Sequence, residues 1–327
     1  MTLTMGKCKY TFLLPAYKAS FFKEALNSIK AQSFTDYCVL VSDDCSPEDL
    51  KPIFDEVCGN DDRFSYRRNE KNMGTDSLVA HWNLLVGMCE TDYLIMASDD
   101  DIYDSCFLEQ IDTLTNKYPD VELFRARAQI INEHGEVVRR DYPYLECANQ
   151  LDFMIQYEQL CNVACVANYV YKTSTLQSIG GFFNYPLAWK SDTMTANFIA
   201  KNGACNTKDI LFTFRVSGIN ISSVESRLVL QKKYVATKMK DDDMTKLIER
   251  LSSECLSAED RNKLLLIQQK HKERTVSELA MFAVALPLKQ FVEALFHFNR
   301  KGYFGSKFEL ILLTKKWWCC HATSYKQ

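Results

Sequence analysis

The chain has 327 residues, enough for about two domains or for one domain with an appendage. Apolar residues make up 47% and charged residues 25%, the balance of a globular protein with a sizeable core. A net charge of −3 gives no basis for nucleic-acid binding, and no apolar run approaches the roughly 18 residues needed to span a bilayer. The thirteen cysteines are odd in number and irregular in spacing. Lys7 and Lys9 precede only a short apolar run, which is no secretory signal, so reduced thiols in the cytoplasm are expected. Neither Cys161/Cys165 nor Cys319–Cys320 carries a zinc-ligand pattern.

Tyr10–Leu14 reads as a buried strand stopped by Pro15, and Ser20 as the cap of a helix running to about Gln32. Tyr37–Val41 is a second strand, ending in Ser42-Asp43-Asp44-Cys45-Ser46. Ser46-Pro47-Glu48-Asp49 has the form of a capping box with proline at the first helical position, and Pro52 is placed to kink the helix that follows. Phe64–Arg68 is a third strand, and Asn69–Gly74 a polar loop. Leu78, Val79, Trp82, Leu85 and Val86 repeat at helical spacing. The fourth strand begins at Tyr93 and runs into Asp99, Asp100 and Asp101. This β-α-β-α-β-α-β order predicts a doubly wound α/β half whose ligand crevice lies at the carboxyl ends of the strands.

Beyond it, Phe107–Leu114 reads as a helix, Val121–Arg125 and Gln129–Asn132 as two strands, and His134-Gly135 as a hairpin turn. A helix at Met154–Leu160, a strand at Ala164–Tyr171 and a short helix at Ser174–Ile179 closed by Gly180-Gly181 follow. The aromatic loop Phe182–Trp189 leads through Lys190-Ser191-Asp192 into a helix stopped by Gly203, and Ile210–Val216 is a further strand. From about residue 225 helical periodicity dominates, with stripes at Met244–Leu251, Leu264–Ile267 and Leu279–Leu295. The expected domains are therefore 1–224 and a helical region, 225–327.

The aspartate triplet has two readings. It is a solvated acidic turn, or it is a site where hard divalent cations, which prefer oxygen ligands, meet a phosphorylated ligand. No Gly-x-Gly-x-x-Gly turn and no Gly-Lys-Ser/Thr loop is present, so a nucleotide here would be held by carboxylates and metal.

Pro15-Ala16-Tyr17, Asp43-Asp44-Cys45-Ser46, Asn69…Asn72-Met73-Gly74, Asp99-Asp100-Asp101 and a later Gly-Gly-Phe stretch followed by Asp192 stand in one order. This order resembles the family 2 glycosyltransferases of GT-A fold that build bacterial surface polysaccharides, over roughly Lys9 to Ser223. The resemblance implies a Rossmann-like, mostly parallel sheet with flanking helices. It implies an inverting enzyme that moves a sugar from a nucleotide-sugar donor, UDP-linked, to a hydroxyl of a glycan or lipid-linked acceptor. Pro15, Ala16, Tyr17, Asp43, Asp44, Asn72, Gly74, Asp99, Asp100 and Arg215 would then bind the donor, with Asp44 the first choice for the uracil N3–H. Asp99, Asp100 and Asp101 would hold Mn²⁺ or Mg²⁺, although Ser98 stands where the family often has aspartate. Asp192 would be the catalytic base; by itself it reads more readily as a helix N-terminal carboxylate, and the ordered set of motifs reverses that preference. Trp189 would stack on the acceptor.

Two other readings compete: a nucleotidyltransferase, which usually brings a glycine-rich loop after strand one, and a non-catalytic nucleotide-sugar-binding protein. Lys315-Lys316-Trp317-Trp318 after Leu310–Leu313 suits a membrane interface, so peripheral contact with the inner membrane face or a homodimer through the C-terminal helices is expected.

Overall fold

The computed structural model describes residues 8–159, 162–218, 226–254, 257–283 and 285–302. The Lys315–Trp318 stretch, Cys161, Cys319 and Cys320 lie outside them. The chain divides into two compact units, one of Met1–Asn184 with Ser191–Asn220, the other of Tyr185–Lys190 with Ile221–Gln327.

In the first unit, β1 (Tyr10–Ala16), β2 (Tyr37–Asp43), β3 (Phe64–Arg68) and β4 (Tyr93–Met96) lie parallel in the order β3-β2-β1-β4. Every residue of β2 and β4 is buried, which is why these strands read as continuous apolar runs. Helices α1 (Phe22–Lys30), α2 (Lys51–Cys58) and α3 (Gly74–Met88) make the crossovers. Tyr10, Phe12 and Leu14 of β1 share one core with Phe22, Leu26 and Ile29 of α1 and Phe54 of α2. The short strand β5 (Ile102–Tyr103) and α4 (Phe107–Lys117) follow, and Phe107, Leu108 and Ile111 join the same core. Next come β6 (Leu123–Asn132), β7 (Val137–Arg140), β8 (Cys147–Ala148) and α5 (Gln150–Glu158). The unit closes with β9 (Tyr169–Lys172), α6 (Thr173–Ser178), α7 (Ser191–Ile199) and β10 (Ala204–Val216). Strand β9 enters antiparallel between β4 and β6, and β10 runs parallel to β6. The sheet order among the described residues is β3-β2-β1-β4-β9-β6-β10-β5, with β7 on β6 and β8 on β10.

Several local expectations change. Pro15 does not stop β1, which runs on to Ala16 opposite Asp43. Pairing of β1 with β4 ends at Leu13 opposite Met96, and Leu13 O accepts from Ala97 N on that side. By alternation the Pro15 nitrogen faces the same side, past the end of the ladder, where its missing N–H costs no bond. Ser20 is not the cap of α1; Phe21 is, with no side-chain hydrogen bond. The Ser46 box does not start α2. The helix begins at Lys51 with Pro52 in its first turn, where proline is tolerated without a kink. The two strands expected at 121–132 are one, since β9 and β10 pair along both sides of β6. Cys8 and Cys38 form a disulfide, against the expectation of reduced thiols throughout; the parallel ladder places Cys38 opposite Thr11 with Cys8 just before the strand.

The second unit holds α8 (Arg227–Ser253), α9 (Ala258–Ala283) and α10 (Leu288–Arg300). The stripe expected at Leu279–Leu295 is broken, because Pro287 caps a new helix. Tyr234, Leu279, Phe282, Leu286 and Phe291 form its apolar core. No helix among the described residues is long and apolar enough to cross a membrane.

Candidate active site

The carboxyl ends of β1, β2 and β4 are laced together by their own backbone. Asp44 N–H donates to Ala16 O (2.9 Å), and Ser46 Oγ donates to Tyr17 O (2.7 Å). Tyr17 N–H and Lys18 N–H both donate to Asp99 Oδ2, at 2.8 Å each. The Pro-Ala-Tyr turn therefore wraps the first carboxylate of the triplet.

Asp44 is 4% exposed and collects three donors from the chain. Oδ1 accepts from Met73 N–H (2.9 Å) and Asn69 Nδ2 (2.8 Å), and Oδ2 from Gly74 N–H (2.8 Å). A Cβ at position 74 would sit 3.1 Å from Asp44 Oδ2 and 3.5 Å from Asn72 Oδ1, so a larger residue there would press on the carboxylate. Asp43 points elsewhere: Oδ1 accepts from Ser46 N–H (2.8 Å), and Oδ2 from Tyr66 Oη (2.5 Å) and Arg68.

Behind Asp44 stands a histidine that periodicity alone marks as an ordinary helix residue. His81 is fully buried, with Nε2 2.9 Å from Ser42 Oγ and 3.3 Å from Asn69 Nδ2, and Nδ1 3.7 Å from Asp44 Oδ1. Asn69 Oδ1 accepts from Arg67, so its amide nitrogen faces His81 and Asp44. His81 Nε2 is then an acceptor and Nδ1 carries the proton. Burial pushes the imidazole below its usual pKa despite the Asp44 charge, so the ring is neutral at pH 7.

The three aspartates of the triplet divide by environment. Asp101 is 1% exposed; Oδ1 accepts from Arg215 N–H (3.0 Å), and Cys165 Sγ approaches Oδ2 (3.9 Å). Asp100 Oδ1 accepts from Ser98 Oγ (2.5 Å), and Oδ2 meets the Lys18 ammonium. That ammonium also lies 3.4 Å from Asp99 Oδ1. Burial first, and then neighbouring carboxylates, raise the pKa of Asp101 well above the usual range; burial likewise raises Asp99. For Lys18, burial works against the charge, but Asp99 and Asp100 outweigh it and its pKa rises. Arg215 supports the triplet from below. Its Nε donates to Asp100 O (3.1 Å), Nη2 pairs with Glu24 (2.6 Å), and its guanidinium lies 4.2 Å from the Phe21 ring centre.

Asp192 lies in the first turn of α7, where Oδ1 accepts from Thr193 N–H (2.7 Å). Its neighbourhood is reported by Cys165, whose thiol is pushed far up by burial, then by Asp101, and further by Asp192 and Asp100. Asp192 and the triplet thus act on the same side chain. Trp189 belongs to the helical unit, where its ring packs edge-on to Phe282 and carries the Lys190 and Lys233 ammonium groups 5.0 and 4.7 Å from its centre.

Two other features stand apart. A cavity of about 550 Å³, lined by Lys9, Thr91, Thr115, Lys172 and Gln177 among others, lies at the amino ends of β1 and β4, the wrong end of the sheet for the aspartates. In the helical unit, Asp241, Asp242 and His297 are near enough to share a cation, but the Lys301 ammonium already spans the two aspartates at 2.6 and 2.7 Å.

Residues 11–170 match the model of the family described as Glycosyl transferase family 2. Over this segment the chain is similar to the family 2 glycosyltransferases. Solved structures agree in fold with the chain. S. aureus TarS 1-349 in complex with UDP-GlcNAc has a TM-score of 0.59 at 16% identity, over 96% of this chain and 92% of that one. The complex of TarS 1-349 with UDP has 0.56 at 16%, with the same coverage. The mannosyltransferase PcManGT from Pyrobaculum calidifontis, in complex with GDP-Man and Mn²⁺, has 0.52 at 15%, over 98% and 87%. At such identities the likeness is one of fold, a GT-A fold. Among curated proteins none matches the sequence.

The site residues expected from sequence at the ends of β1, β2 and β4, at the start of α3 and on β10 come together in the first unit. Lys18 was missed, while Asn69 and Ser98 entered only as motif neighbours and His81 only as a residue of the periodic helix. Lys18 carried one signal, a basic residue directly after the Pro-Ala-Tyr turn, beside strand ends rich in carboxylate.

Proposed function

We propose that this glycosyltransferase inverts the anomeric centre of a UDP-linked sugar as it passes to a hydroxyl of a glycan or lipid-linked acceptor, with a divalent cation at the aspartate triplet. The observation that carries the reading is the convergence of buried carboxylates at the ends of β2 and β4, joined through the turn after β1.

The donor set fits the cation. It is all oxygen, buried and already drawing an ammonium into place, which is the environment a hard divalent ion such as Mn²⁺ or Mg²⁺ takes. Asp100 and Asp99 Oδ1 would hold it, while Asp101, bonded to the Arg215 backbone, braces the turn. Once bound, such an ion neutralises charge developing on the leaving diphosphate. Asp44 Oδ2 accepts one N–H, from Gly74; its second lone pair is the seat assigned to the uracil N3–H. Pro15, Ala16 and Tyr17 flank that seat, and Asn72 and Gly74 shape its rim. Asp192 takes the proton from the acceptor hydroxyl as the oxygen attacks the anomeric carbon from the face opposite the diphosphate. One displacement with one base inverts the configuration.

We assign this chemistry to residues 1–224 and place the enzyme in the cytoplasm, at the inner membrane face. The region 225–327 would supply a membrane or dimer contact. In its support, α10 exposes Leu288, Val292 and Phe296 beside Lys289 and Arg300. Trp189, expected from sequence to stack on the acceptor, lies in the helical unit and is given no part in the site of the first unit.

Calorimetric titration with UDP, GDP, ADP and dTDP in Mn²⁺, followed by NMR of the product formed from a UDP-sugar, tests the reading. UDP is expected to bind tightest, EDTA to remove binding, and the product to be inverted. Indifference to both base and metal, or retention of configuration, would overturn it.

A further inference from the structure

We propose that Lys18 is a built-in counter-ion of the aspartate triplet, which gives up its place to a divalent cation when a nucleoside diphosphate arrives, so that cation and nucleotide bind as a pair. The inference rests on the donor-site reading above and adds a residue to it.

The geometry of Lys18 is that of a tethered plug. Its backbone N–H is anchored on Asp99 Oδ2 at 2.8 Å, while its ammonium reaches back to the other oxygen of the same residue, 3.4 Å away, and to Asp100. The main chain is therefore fixed and only the four-carbon stem is free to swing. The carboxylates it touches are 7% and 3% exposed at the side chain, but Lys18 is 25% exposed, so it lies between them and solvent. Arg215 does not share this position, since its Nε is spent on Asp100 O and its Nη2 on Glu24.

A cation approaching Asp100 and Asp99 Oδ1 meets the Lys18 charge at the same oxygens. Expelling the ammonium alone leaves it only water to pair with. When a diphosphate is present, the expelled ammonium has an anion within the reach of its stem, and the exchange replaces one ion pair by another. The compact, strongly hydrated head of lysine suits such an exchange better than a planar guanidinium. Cation binding without nucleotide is thus held weak, and nucleotide makes it strong.

The test uses the full chain freed of metal, with Mn²⁺ alone and then Mn²⁺ with saturating UDP, followed by calorimetry and by the EPR signal of free Mn²⁺. Removing one unit charge from a partly exposed pair should tighten Mn²⁺ alone about tenfold in Lys18→Met. The gain that UDP brings to Mn²⁺ should shrink by the same factor. Lys18→Arg, which keeps the charge, should bind Mn²⁺ alone as weakly as the wild type. Lys18→Gln repeats the neutral substitution should the methionine variant fail to fold. If both neutral variants bind Mn²⁺ alone no tighter than wild type, or if Lys18→Arg tightens it as they do, Lys18 is no counter-ion and the donor-site reading survives. Absence of any UDP binding to the wild type in Mn²⁺ would overturn both the donor site and the paired exchange.

Discussion

Replacing Asp44 by alanine tests whether one carboxylate organises the nucleotide end of the crevice. The side chain receives Met73 N–H, Gly74 N–H and Asn69 Nδ2 and is almost wholly buried. Alanine leaves three donors without their acceptor. A donor stranded in the interior costs about 1–3 kcal/mol, and a cavity of carboxylate size admits water that recovers part of this. About 3 kcal/mol in total is the expected loss. In a unit of this size each kcal/mol lowers Tm by roughly 2–4 °C, so a drop of about 6–12 °C follows. Asp44→Asn keeps one acceptor but turns an NH₂ group toward a donor, Gly74 N–H or the Met73 and Asn69 pair, and should lie between alanine and wild type. Thermal unfolding by circular dichroism, paired with UDP titration below each Tm, reads both effects. UDP affinity should fall in both variants, because the loop before α3 loses its anchor and the N3–H its acceptor. An alanine variant that melts within about 2 °C of the wild type would refute the reasoning, whatever it does to nucleotide binding.

Asp192→Asn keeps the size of the side chain and removes its basic oxygen; turnover should fall by roughly 10²–10⁴ while UDP affinity stays near wild type, and equal losses of both would move Asp192 into the donor site. In the helical unit, burial opposes the Asp241 charge but hydrogen bonds from His271 and Lys301 outweigh it, and its pKa falls to about 2. A carboxylate depressed on folding stabilises the native state above its unfolded pKa of about 4 and loses that contribution as pH falls through about 2, here roughly 2 kcal/mol. Denaturant titrations between pH 5 and pH 2 should show this loss in the wild type and a smaller pH slope in Asp241→Asn; identical slopes would remove Asp241 from the account.

Strands buried on both faces were plain in the sequence, because Tyr10–Leu14, Tyr37–Val41 and Tyr93–Met96 are apolar at every or nearly every position and need no partner to be recognised. Turn and cap details were not. Ser20 and Ser46 have capping chemistry, but whether a hydroxyl caps depends on where the helix starts, and Ser46 instead donates to Tyr17 O across the crevice. The Cys8–Cys38 bond was equally out of reach, since thirteen cysteines allow many pairings and only the β1–β2 register selects one.

By itself, then, the sequence determined the α/β order, the placing of carboxylates at strand ends and the change to helices after residue 225, all of which are properties of local pattern. Tertiary structure decided how the aspartates differ. Asp99, Asp100 and Asp101 are consecutive and chemically identical, yet one is wrapped by the β1 turn, one meets Lys18 and Ser98, and one is bonded to the backbone of Arg215, more than a hundred residues away. Burial and partner, which follow from packing, set the charge and reach of each carboxylate. A string of like residues carries no information about either.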